Sequence, residues 1–485
     1  MNLPANSPAP CACAPLPAFT PARADGFHGV WYGYTDGTYY AGGLGTFPQQ
    51  IHPMAYHAAA AGERGRTFFV WGGAKAGVPG NLLTTISYYD HATRMVARPR
   101  ILNDRHTNDG HENPSIMLDR QGHIYVFSNA HGTLRDSFIY RSTRPYSIDE
   151  FQTVLSLEKT MNFSYAQPWY IDGLGFLLLH SFYGCRDPIR RLYYNTSPDG
   201  INWDYHWDLN EVNPRPAFAL IPGGNYQVSR AHGATVGTMF DYNVDAVGRT
   251  NLYYARTSDC GRTWKTAGGT AITLPITSIK NVALVHDYEA ERQYVFLKEI
   301  CYDDKGQPVL LFLTSPTEAN DTTTPRTWHT AHFNDATGRW VIRDTFVSDN
   351  NYDHGTFAIE SDGLWRIIAP TAAGPQPGRT GGDMVMWTSQ DQGATWQARA
   401  LLTHGGPYNH TYARQPVHVH DDFYAFWADG DVNKESASSL YFTDKHGTGV
   451  WRLPLVMAGD CALPDLAFTP IPNAEQSFHR KDTDT

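Results

Sequence analysis

The sequence predicts an all-β protein, a seven-bladed β-propeller of four-stranded antiparallel blades. Three observations predict it: a strand-and-turn composition, a recurring Asp-box motif, and a period near 66 residues. The 485 residues include 28 Tyr, 23 Phe and 13 Trp, punctuated by 43 Gly and 31 Pro, the texture of many short strands joined by tight turns. Thr257-Ser-Asp259-Cys-Gly261-Arg-Thr263-Trp264 and Ser389-Gln-Asp391-Gln-Gly393-Ala-Thr395-Trp396 both read S/T-x-D-x-G-x-T-W. Ser197-Pro-Asp199-Gly200-Ile-Asn-Trp203 is one residue short of it. In that motif the Asp carboxylate ties down a β-turn, Gly supplies the backbone angle, and Trp fills the gap between adjacent sheets. Trp203 and Trp264 are 61 residues apart, and Trp264 and Trp396 are 132 apart, two periods of 66. A degenerate copy is expected midway, at Arg326-Thr-Trp328, with weaker equivalents at Trp451 and near Phe151. Dividing the chain by this period yields about seven units, each long enough for four strands. A two-layer sandwich leaves a seven-fold period unexplained.

Residues 1–24 read as a Pro/Ala-rich extension and 25–485 as a single propeller domain. The extension lacks the basic segment and apolar core of a signal peptide. Apolar runs such as Gly175 to Leu179 are far too short for a membrane helix. His52-Pro53, Asn113-Pro114, Gln167-Pro168 and Gln415-Pro416 mark the first strands of blades, which line the channel of a propeller. Aligning on the proline makes Gln50, His111 and Tyr165 equivalent, and Tyr226 and Tyr352 fall at the corresponding place in two further blades. His131 and Tyr183 become equivalents at the end of second strands. These side chains are expected to converge at one mouth of the channel.

With 18% charged residues and a net charge of -10, the chain advertises no basic surface for nucleic acid or anionic membrane. An anionic substrate therefore requires a local cluster of Arg, Lys or His. The mouth offers histidines and tyrosines without an obvious carboxylate pair, whereas ordinary glycoside hydrolysis uses two Asp or Glu groups. β-Elimination beside a uronate uses a base for the C5 proton, a donor for the leaving oxygen and a cation for the carboxylate. His and Tyr supply the first two, and His or Arg the third.

Asn108-Asp-Gly-His111-Glu-Asn-Pro114-Ser-Ile, followed by His131-Gly132, resembles the BNR-repeat propeller family of ulvan lyases and rhamnosyl-glucuronate lyases. So do Phe163-Ser-Tyr165-Ala-Gln-Pro168-Trp-Tyr, Thr196-Ser-Pro-Asp199-Gly, Arg249-Thr-Asn-Leu-Tyr-Tyr254, Arg326-Thr-Trp328-His and Phe423-Tyr-Ala-Phe-Trp427-Ala-Asp-Gly430. The resemblance spans roughly residues 25–455. It implies a polysaccharide lyase acting on an acidic glycan of the glucuronate/rhamnose type, secreted or periplasmic, with no nucleic-acid or membrane partner. It implies catalytic roles for His111, His131 and Tyr165 and an active-site place for Tyr226; Tyr183, from the blade alignment, and Arg186, Arg190 and Arg230 are further candidates for substrate binding. One departure stands out: the lyases carry a carboxylate-neutralising arginine near the end of the strand reading Leu179-His-Ser-Phe-Tyr183 here. Arg186, Arg190 or His131 could take that role. The alternatives are a glycoside hydrolase of the α-L-rhamnosidase type, with His52 on the opposite face, and a non-catalytic glycan-binding propeller.

The six cysteines, Cys11, Cys13, Cys185, Cys260, Cys301 and Cys461, form no C-x-x-C pair and read as small buried residues. The resemblance implies chemistry that requires no cofactor, and, since a structural zinc or calcium occurs in some relatives, it allows a structural calcium or zinc here, ligands unspecified. His404, His410, His418 and His420 with Asp421 and Asp422 suggest a metal site, but no third ligand has a motif-like separation. Gly374 to Gly382 lacks the context of a phosphate loop and reads as a blade connection.

Overall fold

The computed structural model describes residues 31–33 and 44–473, apart from 76–77, 159–160, 184–188, 205–216, 245–247, 318–323, 433–435, 455–456 and 458. The 1–24 extension, Cys11, Cys13, Cys185 and Arg186 lie outside the described residues. Seven antiparallel sheets form the seven blades. Their first strands are Ala55–Ala58, Pro114–Leu118, Ser164–Ile171, Gln227–His232, Tyr294–Tyr302, Thr356–Ile359 and Asn409–Arg414. Each meanders outward from the channel. Blades 2, 3 and 5 keep four strands, while the others carry extra strands on the four-stranded plan.

Second strands are covered by the neighbouring blade on both faces, so they read as continuous apolar runs rather than as alternation. In Gly175–Tyr183 every residue before Tyr183 is buried. The core is accordingly a ring of inter-blade clusters. Leu177 and Leu179 of blade 3, for example, share one with Phe127 of blade 2 and Phe240 of blade 4.

The Asp boxes are the turns between third and fourth strands. Asp259 accepts from the Thr257 and Thr263 hydroxyls at 2.8 and 2.6 Å, and Asp391 accepts from Ser389 and Thr395 at 2.8 and 2.6 Å. Trp264 packs against Tyr194 of blade 3 at 5.8 Å, and Trp203 against Phe127 of blade 2 at 5.9 Å. Asp444 makes the equivalent turn ahead of Trp451, accepting from the His446 amide at 2.7 Å and from Thr448. The copy expected at Trp328 is placed differently. Trp328 lies inside the third strand of blade 5, Arg326–Asn334, and donates to Ser348 at 3.0 Å. The blade 5 turn is Asn334-Asp-Ala-Thr337-Gly338, with Asn334 Oδ1 accepting from the Thr337 amide at 3.1 Å, and Trp340 reaches Tyr254 of blade 4 at 5.5 Å. An asparagine in place of the motif's Ser/Thr and Asp pair hides this box from the pattern.

The ring closes by stitching both chain ends together. Trp31–Gly33 pairs with Arg66–Lys75 of blade 1 and with Ser436–Ser438, while Cys461–Ala462 adds to blade 1 and Ile471–Pro472 to blade 6. The Val417 carbonyl accepts from the His57 amide at 2.8 Å, joining blades 7 and 1 directly. The middle of the channel is filled by polar side chains. Gln167 Nε2 donates to the Gln50 and Gln227 carbonyls, each at 2.9 Å, and Arg414 donates to the Thr46 carbonyl at 2.8 Å. This plug separates the channel into two mouths. Cys260, Cys301 and Cys461 are buried, and among the described residues no helix is long and apolar enough to cross a membrane.

Candidate active site

The loop entering blade 2 folds into a one-turn 3-10 helix, Gly110–Glu112, because Asp109 caps it, Oδ1 accepting from the His111 amide at 3.0 Å. The same oxygen lies 2.5 Å from His111 Nδ1, and Oδ2 lies 2.7 Å from His131 Nδ1. One carboxylate thus grips two imidazoles, which stack with centroids 4.1 Å apart. An ionised carboxylate can only accept, so both Nδ1 atoms carry protons, and in a neutral imidazole that leaves Nε2 as the acceptor. Glu112 is fully buried behind them. It accepts from Arg105 at 2.9 Å, Arg135 at 2.6 Å and the His131 amide at 3.3 Å, tying the two histidine loops together.

Tyr165 reaches this pair because the first strand of blade 3 bulges there, the register shifting between Ser164 and Gln167. Its φ of 55° lies in the left-handed region, a strained setting for a bulky residue, and the bulge re-aims the side chain. Asn129 holds the bulge by accepting from the Ala166 amide at 2.7 Å. The Tyr165 hydroxyl stands 3.4 Å from His131 Nε2, and its ring meets the His111 ring edge-on at 5.9 Å. Tyr412 repeats the device in blade 7 with φ 56°, packing on Phe47 at 5.1 Å, and Phe47 packs on His111 at 4.7 Å.

An arginine stands across the hairpin from the end of the Gly175–Tyr183 strand. Arg190 is the register partner of Tyr183. Its Nε donates to the Asn225 carbonyl at 2.9 Å, Nη1 lies 3.5 Å from the Tyr183 hydroxyl, and the guanidinium sits 3.2 Å from the Tyr226 ring centroid. Arg249 flanks the same ring at 4.5 Å and donates to the Tyr352 hydroxyl at 2.9 Å. Tyr226 is thus held between two cations.

Burial, and then the neighbouring His131, push His111 below the ordinary histidine range. Burial alone would raise the Asp109 carboxyl, but His111 and then His131 hold it well below the carboxylate range. Burial, reinforced by Tyr183 and Tyr226, lifts the Tyr165 phenol well above its usual value. Around neutral pH the group therefore comprises a neutral His111 imidazole, an ionised Asp109 and a protonated Tyr165.

The structure brings His111, His131, Tyr165, Tyr183, Arg190 and Tyr226 together at one mouth. Arg230 is not among them. It lies four residues beyond Tyr226, about 13 Å along an extended strand, where it pairs with Glu299 at 3.6 Å and donates to Gln415 at 2.9 Å. Gln50 is part of the plug rather than a counterpart of His111. His52 is buried beside Glu299 at 3.9 Å instead of standing at an open face. Asp109, Glu112 and Arg249 escaped the sequence reading, although Asp109 stands only two residues before His111.

Fold and mouth together define a BNR-type seven-bladed propeller with a His/Tyr/Arg centre. The model of the BNR repeat-containing family matches residues 84–346, and the chain belongs to that family. No curated protein matches the chain. Among solved structures it is similar to an ulvan lyase of polysaccharide lyase family PL25, with 16% identity, a TM-score of 0.66, and 86% of this chain and 96% of that one covered. The same values hold for that lyase bound to -[GlcA(1-4)Rha3S]-. The polysaccharide lyase Uly1 is similar at 12% identity and a TM-score of 0.57, covering 84% of this chain and 92% of that one. These likenesses establish the propeller.

Proposed function

We propose that this protein is a polysaccharide lyase that cleaves an acidic glycan of the glucuronate/rhamnose type by β-elimination at the His111 mouth. The observation that carries the proposal is the chain Asp109 to His131 to Tyr165, which brings an imidazole nitrogen and a phenolic hydroxyl to one place. His131 Nε2 takes the C5 proton, the C5 electron pair forms the C4–C5 double bond, and the C4–O bond breaks. Tyr165 gives its proton to the departing oxygen. His131 then returns its proton to the Tyr165 phenolate across their 3.4 Å contact, restoring the resting state. Arg190, with Arg249 behind Tyr226, neutralises the uronate carboxylate and so acidifies C5. His111 donates no proton of its own in this scheme; it fills the second arm of Asp109 and lines the uronate.

Both carboxylates near the mouth are engaged, Asp109 by two imidazoles and Glu112 by two arginines, which disfavours the two-carboxylate hydrolytic route. The likeness to ulvan lyases, one of them holding a glucuronate-rhamnose sulfate oligosaccharide, supports the substrate class. A polymer of that kind is met outside the cytoplasm, so we place the enzyme there, secreted or periplasmic. The test is a screen of uronate polysaccharides read by short-wavelength ultraviolet absorbance. Elimination leaves a C4–C5 unsaturated sugar that absorbs; hydrolysis yields reducing ends without the chromophore, and a binding module yields neither.

A further inference from the structure

A buried lysine stands next to Arg249 at the mouth. Lys298 lies in the first strand of blade 5, Tyr294–Tyr302, where the register shifts between Leu297 and Glu299, and this bulge puts two consecutive charged side chains into the interior. Each is 1% exposed. Glu299 pairs with Arg230 at 3.6 Å, whereas among the described residues no carboxylate lies within salt-bridge distance of Lys298. Its Nζ donates instead to the Asn351 carbonyl at 2.9 Å. The rings of Trp328 and Phe296 lie 5.4 and 5.9 Å from the ammonium, and Arg249 sits 5.1 Å from that same Phe296 ring.

A neutral side chain could donate to one carbonyl, and burying an ammonium without a close counter-charge is costly. The charge therefore calls for a further use. Asn351 belongs to the turn entering blade 6, in which the Tyr352 amide donates to Asn350 Oδ1 at 2.9 Å, and the Tyr352 hydroxyl accepts from Arg249 at 2.9 Å. Lys298 thus fixes the turn that fixes Arg249. The charged and titratable groups acting on it are Asp353 and His354 of that turn and Arg249 of blade 4. Burial lowers the amine from 10.5 to about 7, Asp353 opposing the fall and Arg249 adding to it.

We propose that Lys298 is a positioning residue for the anion-binding side of the mouth: its ammonium holds Asn351, through Tyr352 it keeps Arg249 against Tyr226, and an anionic sugar binds together with a proton at Lys298. This rests on the reading of the mouth as a uronate site. An anion held by Arg190 and Arg249 offsets the repulsion between Arg249 and Lys298, so it favours the charged amine. By linkage, charging the amine favours the anion to the same degree. Affinity is therefore full below neutral pH, where Lys298 is already charged in the free protein, and falls as pH rises through neutrality.

The test measures binding of a glucuronate-rhamnose oligosaccharide by calorimetry from pH 6.5 to 8.5, in buffers of different ionisation enthalpy. The full chain carries Tyr165→Phe so that turnover does not interfere. This parent is expected to take up as much as about one proton on binding above pH 7, and to lose affinity about 5- to 10-fold across the range. Lys298→Met is expected to lose that proton uptake and to bind at pH 6.5 as weakly as the parent does at pH 8.5. Lys298→Arg, charged throughout, is expected to keep the tighter affinity up to pH 8.5. Where a variant fails to fold, NMR of the parent with isotope-labelled lysine decides: one side chain should titrate near 7, far from the ordinary value of about 10.4, and its midpoint should rise when the oligosaccharide is added. Proton uptake and a pH profile that persist in Lys298→Met, or no lysine titrating below about 9, would overturn the proposal. Binding with the expected signature but without unsaturated product from the wild type would contradict the lyase reading and leave the role of Lys298 standing. Absence of binding would overturn both.

Discussion

The Tyr165 hydroxyl lies 3.4 Å from His131 Nε2, while the Asp109 carboxylate on the other side of the ring holds Nδ1 at 2.7 Å. Removing the hydroxyl removes the acid while leaving the ring in place. Tyr165→Phe is expected to lower kcat by about 10²- to 10⁴-fold with little change in KM or melting temperature. Steady-state kinetics and thermal unfolding check this; a tenfold rise in KM at unchanged kcat would mean that Tyr165 only binds.

Asp109 holds two imidazoles at once, so neutralising it disturbs both. In Asp109→Asn one amide oxygen can accept from one ring, but the amide nitrogen opposes the other. A kcat loss of at least about 10²-fold is expected. The negative charge also raises His111, so its removal lowers that pKa further. Histidine titration followed by NMR should show the His111 midpoint moving to lower pH in the variant.

Arg190 is expected to act on the substrate carboxylate. Arg190→Gln should reduce kcat/KM by about 10- to 100-fold, the worth of a charge-assisted hydrogen bond. Methyl-esterified substrate, which carries no charge, should show a much smaller loss. Equal losses on both substrates would assign Arg190 to holding Tyr183 and Tyr226 instead.

How much of this was legible in the sequence depended on range. The Asp boxes are local devices, with the carboxylate and the hydroxyls it accepts from lying within seven residues, so they declare the fold and the period. Trp328 was misplaced because spacing alone stood in for a turn whose Asn334 departs from the pattern. His111, His131 and Tyr165 were visible through short motifs and blade equivalence. Arg249 and Glu112 were not, because their roles arise from contacts between loops or across blades. Arg230 was misassigned because an extended strand carries it away from the mouth that Tyr226 joins.

Buried histidines predict the pH dependence of stability. Burial lowers His410 to about 3 and puts His52 and His354 well below the ordinary value of 6.5. Below pH 6.5 the unfolded chain takes up protons that the native state refuses, so stability present above that pH is lost as pH falls toward the native values. The melting temperature should therefore decline steadily from pH 6.5 to 4. His410→Gln keeps an acceptor for Trp427, which donates to His410 at 3.1 Å, and should reduce the slope by about one proton.

The most direct test of the central claim is to incubate wild-type protein and His131→Ala with a glucuronate-rhamnose polysaccharide and record ultraviolet absorbance alongside reducing ends. The account predicts that absorbance and reducing ends rise together in the wild type, in equal molar amounts, and that both fall by at least about 10²-fold in the variant. Reducing ends without absorbance, or equal rates for the two proteins, would contradict elimination at this mouth.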